Sequence, residues 1–315
     1  MRTSSIAVSL AFVFGLVACN SPSQFSIPGN ASSVDLPAKH AGLQDLYVAD
    51  YGRGSIVLLK NTDYSADGTI TNGINGPLDV SLDRAGNLYV ANASGVNVTE
   101  YTPGASSPSF TYSAGMVEPI FLTVKANESV YEVDSGNANG VGHNDGFVNE
   151  YARHSNSVLR SCQTQGHPTG IAVDSAGDIF VALNTASSYG HIVEYKGGLN
   201  GCKTTTLGVQ FGFVAGIALD TNANIIATDY DRGQVDVLAP PYTKVARRLA
   251  TGGRLSEPYS VSIDGTNTTV YVTDFDKNVV LVIDYASGKV VRKLDDSHGG
   301  ISVPAGTADG PNAVY

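Results

Sequence analysis

Positive charge is scarce in this sequence: 19 Lys and Arg stand against 29 Asp and Glu, a formal net charge of −10. Phosphate backbones are gripped by clustered Lys and Arg, and these few are spread along the chain, which argues against a nucleic-acid partner. Cations or neutral ligands suit the chain better. Charge of either sign is low, at 15% of residues, while 42% are hydrophobic and 35 are glycine. That is the composition of a folded chain with a large core and frequent turns, not of a disordered one. Beyond the leader no apolar run is long enough to span a hydrocarbon layer of ~30 Å. No stretch of 11 or more residues there has convincing helical periodicity. Also missing are the G-x-S-x-G elbow, H-E-x-x-H, C-x-x-C, the P-loop and the dinucleotide fingerprint, which removes catalysis by those routes.

What is present begins with an unusual N-terminus. Arg2 precedes an apolar run from Ile6 to Ala18, the anatomy of a signal peptide over residues 1–18. Leu16-Val17-Ala18-Cys19 resembles a bacterial lipobox, in which the cysteine becomes the lipidated first residue of the mature protein. Ordinary cleavage that leaves a cysteine by chance is the competing reading, but Leu16 fits poorly at the small-residue position of such a site. Residues 19–40, rich in Ser, Pro and Asn over Ser21 to Asp35, read as a flexible tether. The expectation is an exported protein, periplasmic or at the cell surface, held to a membrane through lipid on Cys19. Two cysteines remain, Cys162 and Cys202, and an exported location permits a disulfide between them; two buried thiols are the alternative.

Residues 41–315 are built from a repeat. Asp45-Leu-Tyr-Val-Ala-Asp50, Asn87-Leu-Tyr-Val-Ala-Asn92, Ser129-Val-Tyr-Glu-Val-Asp134, Asp178-Ile-Phe-Val-Ala-Leu183, Asn224-Ile-Ile-Ala-Thr-Asp229 and Thr269-Val-Tyr-Val-Thr-Asp274 align without gaps, at intervals of 42 to 49 residues. A period of that size signals a propeller or an array. A second strand of constant form, such as Pro77-Leu-Asp-Val-Ser-Leu-Asp83 and Pro168-Thr-Gly-Ile-Ala-Val-Asp174, precedes all but the first. The missing one lies at the other end, in Pro304-Ala-Gly-Thr-Ala-Asp-Gly310. The C-terminal strand is therefore expected to complete the first blade of an all-β, six-bladed β-propeller and so protect its edge. Asp83-Arg-Ala-Gly-Asn87 and Asp174-Ser-Ala-Gly-Asp178 supply tight hairpin connections. The outer position of Cys162 and Cys202 in neighbouring repeats makes a bridge geometrically feasible.

The form P-x-G-I-A-V-D-x-x-G-x-I-F-V-A, intact from Pro168 to Ala182, resembles the NHL repeat and the related gluconolactonase-like and streptogramin-lyase-like propellers over about Asp45 to Tyr315. The resemblance implies architecture; these folds host binders, scaffolds, lactonases and lyases alike. The lyase subgroup tends to carry Trp in its repeat, and this chain has none.

In a propeller, the loop entering each inner strand and the loop leaving each second strand share one face, around the channel mouth. The alignment places Gly76, Glu118, His167, Phe213, Glu257 and Val303 before the inner strands. Asp50, Asn92, Asp134, Leu183, Asp229 and Asp274 close the second strands. Such oxygens would suit Ca²⁺, with His167 as base or ligand. The resemblance to gluconolactonase-like enzymes implies a metal held there that polarises a lactone carbonyl. Against this, an Asp that recurs with the repeat belongs to turn structure, where short side chains accept backbone N–H bonds. Glu118, His167 and Glu257 are not demanded by the repeat, and Asp79 stands where other repeats have Phe121, Gly170, Gly216, Ser260 and Gly306. These four are the site candidates, beside Asp134, Asp229 and Asp274. The polar connection from Asp134 to Gly146 resembles a Ca²⁺ loop only loosely. Two functions follow as expectations: a module that binds a protein or small molecule through its loop face, or a divalent-cation-dependent, lactonase-like hydrolase.

Overall fold

The computed structural model describes residues 45–125, 129–136, 145–185, 189–251 and 255–310. Leader, Cys19 and tether lie outside the described residues, as does most of the Asp134 to Gly146 connection. The chain forms six sheets of four antiparallel strands, and successive inner strands pack side by side around a ring that closes on itself. Blade one is completed from the far end of the chain: Pro304–Asp309 pairs with Asp45–Asp50, followed outward by Ser55–Lys60 and Ala66–Ile70. The inner strands of blades two to six are Pro77–Leu82, Pro119–Val124, His167–Val173, Val214–Leu219 and Pro258–Ile263.

Every blade has a neighbour on both sides, so its second strand is buried on both faces. Asp45–Asp50 and Ile179–Asn184 are buried throughout, and their near-continuous apolar runs follow from that position, as in any doubly covered strand. The outer strand Val158–Gln163 is half solvated and alternates. Hairpin turns between first and second strands work as the sequence implies. Asp83 Oδ1 accepts the Ala85 and Asn87 amides at 2.9 and 2.8 Å, while Gly86 takes a φ of 81° that favours glycine.

Inner strands approach each other so closely that the repeat's glycine is a packing requirement. A Cβ on Gly170 would lie 2.5 Å from the Ala215 carbonyl oxygen of the next blade. Asp79 departs from that rule and is accommodated by the glycine on its other side: a Cβ on Gly306 would meet Asp79 Oδ1 at 2.7 Å.

Cys162 and Cys202 are joined in a disulfide with Cα atoms 5.4 Å apart. Cys162 lies in the outer strand of blade three. Cys202 is not in an outer strand; it ends the 3-10 turn Asn200–Cys202 that leads into blade four's outer strand, Thr205–Phe211. A left-handed residue, φ 53°, turns the chain there before the last strand begins.

Candidate functional site at the channel mouth

The carboxylates that end the second strands are fully buried and engaged with main chain. Asp134 Oδ2 accepts the Val117 and Glu118 amides at 2.6 and 3.0 Å, and its Oδ1 that of Gly136 at 2.7 Å. Asp274 accepts the amides of Ser256 and Glu257, Asp229 that of Gly212, and Asp50 those of Ser302 and Val303. Each pins the loop that enters its own blade's inner strand, and Asn92 does the same through the Asn75 amide. Blade four is the exception. Leu183 pairs with Pro168 where the Asp would stand, and the polar side chain comes one residue later, from Asn184. It accepts from the Val214 amide at 2.9 Å and so ties blade four to blade five.

Among the described residues no three His, Cys, Asp or Glu side chains are grouped so as to hold a metal ion. Glu118 and Glu257 belong to blades three and six, on opposite sides of a six-membered ring.

What lies between them is aromatic. Phe121 of blade three and Tyr259 of blade six meet across the axis with ring centroids 5.3 Å apart, and Phe275 packs on Tyr259 at 5.5 Å. Half-buried Tyr51, Phe213, Tyr230 and Phe275 lie against this floor. The walls are asymmetric. After the second-strand Asp, blades five, six and one continue with Tyr230, Phe275 and Tyr51, whereas blades two and three continue with Ala93 and Ser135. Half the mouth is therefore aromatic and half small or polar. Below the floor the channel continues as a cavity of about 110 Å³, running from Asp79 and Ser260 to Leu82 and Ile263 at the other end of the inner strands.

The polar groups of the mouth are few and poorly partnered. Asp79 is 6% exposed and accepts the Leu122 amide at 3.1 Å; burial pushes its carboxyl up to about 8, so it holds a proton at neutral pH. Half-buried Glu118 accepts the Ser135 hydroxyl, and burial raises it above the ordinary carboxylate range. Glu257 accepts the Tyr230 hydroxyl at 2.6 Å. Burial lowers His167 to about 4, leaving a neutral imidazole that, among the described residues, has no hydrogen bond. The Tyr259 hydroxyl likewise has none, although the side chain is only 5% exposed. Burial raises that phenol well above its usual range, and Asp79, Glu118, Tyr230 and Tyr51 face it in turn.

The alignment located Asp79, Glu118, His167 and Glu257 at the mouth and passed over the aromatic groups that floor and wall it. The same register carried the signal, since Tyr51, Tyr230 and Phe275 each follow a second-strand Asp.

Fold and ring together define a six-bladed β-propeller with one closed-floored loop face. No protein-family model and no curated protein matches the sequence. Solved structures share the fold. A chain of a nidogen/laminin complex superposes with a TM-score of 0.66 at 16% identity, over 84% of this chain and 97% of that one. A Bacteroides caccae protein of unknown function gives 0.63 at 16% identity over the same shares. Kuenenia stuttgartiensis hydrazine synthase gives 0.59 at 14% identity, over 86% of this chain and 90% of that one. At such identities the likeness is one of architecture.

Proposed function

We propose that this chain is an exported NHL-type propeller, tethered through lipid on Cys19, that binds a ligand or protein partner at the mouth of its loop face and does not transform it. One observation carries the reading: the hydroxyl of Tyr259, on a side chain only 5% exposed, and the part-buried His167 imidazole have no hydrogen bond among the described residues, beside an aromatic floor. A polar group without a protein partner on the lining of an apolar concavity is what a bound molecule satisfies. The fold likeness to a chain of a protein–protein complex agrees with a binding module. The leader and Leu16-Val17-Ala18-Cys19 support export and anchoring.

Ligand-observed NMR on the full mature chain tests the binding role, with ammonium, saccharide, carboxylate and lactone probes run in parallel on Glu118→Gln and Glu257→Gln. A probe class whose signal depends on either side chain supports the reading, and no such class overturns it. A lactone consumed rather than bound would turn it to hydrolysis. Anchoring is tested by fractionation: Cys19→Ala should move the protein from membrane to soluble fraction, and a wild type already soluble defeats the anchor.

A further inference from the structure

Many buried acids of the ring, in the blades and at the second-strand ends, are matched with a cation. Arg160 holds Glu150 at 2.7 Å, Arg248 holds Asp236 at 2.9 Å and Arg232 holds Asp229 at 2.9 Å; Lys277 stands 3.9 Å from Asp274. Asp79, Glu118 and Glu257 have no such partner among the described residues. Their partners are two backbone amides, of Leu122 and Val80, and two hydroxyls. The mouth therefore joins three acids lacking a countercharge to the faces of Phe121, Tyr259, Tyr230 and Phe275. The quadrupole of an aromatic face attracts a cation, most strongly where water is excluded. The Tyr259 hydroxyl, without a hydrogen bond on a side chain only 5% exposed and faced by Asp79 and Glu118, is an independent sign of an absent ligand.

We propose that the mouth receives an organic cation, an ammonium or guanidinium group, laid on the Phe121–Tyr259 floor between Glu118 and Glu257. The proposal rests on the reading of the mouth as a binding site and names what it binds. A metal ion fits less well because it requires several oxygens converging on one point, whereas an organic cation spreads its charge over faces and distant carboxylates. Burial without a countercharge raises Asp79 and Glu118, and a bound cation would draw both down. Uptake then releases protons and tightens as pH rises. His167, neutral above about 4, does not compete; the other titratable or charged groups are Tyr51, Tyr230 and Glu257, Asp231 and Asp276 beside Tyr230, and Arg232 and Lys277 on the second-strand Asp residues.

Calorimetric titration of the full mature chain tests this with benzylammonium, tetramethylammonium and Nα-acetyl-lysine amide, against benzyl alcohol and cellobiose, at roughly pH 5.5 and 8. The expected result is that ammonium probes bind at least about fivefold tighter at the higher pH and weaken at least about tenfold in Glu118→Gln or Glu257→Gln, an effect of the size seen for desolvated cation sites. Asp63→Asn, the same charge change at a turn on the opposite face, should leave them within about twofold. Nα-acetyl-lysine amide binding as well as benzylammonium assigns the cation to a partner's side chain, and benzylammonium alone assigns it to a free amine. Benzyl alcohol equal to benzylammonium, or no pH dependence, overturns the proposal. Cellobiose bound in place of the ammonium probes overturns the cation and keeps the binding role, while no probe binding at either pH removes both.

Discussion

The outer parts of the blades and the inner strands under the channel mouth treat a buried carboxylate in opposite ways. In blade three, Glu150 is surrounded: Arg160 on one oxygen and the Tyr131 hydroxyl on the other, at 2.7 and 2.9 Å. At the mouth, Asp79 has neither cation nor phenol, and the protein accommodates it by leaving its proton on. The first arrangement fixes structure and keeps the charge; the second gives up the charge and leaves capacity to interact. Glu132 shows that the second can also occur inside a blade. It stands where other blades have Val48, Val90, Val181 and Val272, is fully buried, and is held by the Asn149 amide and Tyr151 hydroxyl with Oε2 unpaired. No aromatic basin lies over it, and burial again raises its pKa.

The contrast is sharpest for the paired acids. Arg160→Ala strands Glu150 and should lower the unfolding free energy clearly, though less than for a fully buried pair because the Arg is partly exposed. Denaturant melts would measure it, and Arg160→Ala with Glu150→Gln should recover much of the loss; no loss in the single variant would erase the distinction between the regions. Asp79→Asn should act with the opposite sign. Its folded pKa of about 8 exceeds the unfolded value near 4, so the folded form keeps a proton that the unfolded form surrenders, and stability falls as pH rises through that interval. The variant should therefore gain progressively above pH 4, at about 1.4 kcal/mol per pH unit, to about 5 kcal/mol near pH 8. Parallel stability-versus-pH curves for variant and wild type would show that Asp79 is not buried as described.

How far could a sequence reveal this difference? Blade number and the closing strand were legible because Pro304 to Asp309 repeats a form found five times upstream, and periodicity is a local property of the chain. Asp79 was legible as a departure from that form. The aromatic floor was not, because Phe121 and Tyr259 are ordinary apolar residues of inner strands until the ring closure brings opposite blades into contact. The partner of Asn184 was hidden similarly, in the next blade and not its own. A cation site built from Asp134, Asp229 and Asp274 looked feasible from their common position; backbone amides occupy their oxygens.

His167 offers a smaller effect. Its folded pKa of about 4 lies below the unfolded 6.5, so the unfolded form binds the proton more readily and stability declines as pH drops through that window. His167→Gln should flatten that acid limb by about 1 kcal/mol, half-exposure limiting the size. Smallest of all, Glu118→Gln and Glu257→Gln should change stability by less than about 0.5 kcal/mol, since Gln can still accept from Ser135 and Tyr230. A larger loss at either position would recast the mouth acids as structural, like those of the blades.

The joining of Pro304–Asp309 to Asp45–Asp50 also sets an order of events in time. Until Pro304–Asp309 is made, the strand Asp45–Asp50 has an unsatisfied edge and the inner strand of blade six lacks one of its two neighbours, so the ring stays open while all the other strands are laid down. Such a chain stays open until that strand arrives, and then locks, because it pairs with Asp45–Asp50 and seals the circle at one seam.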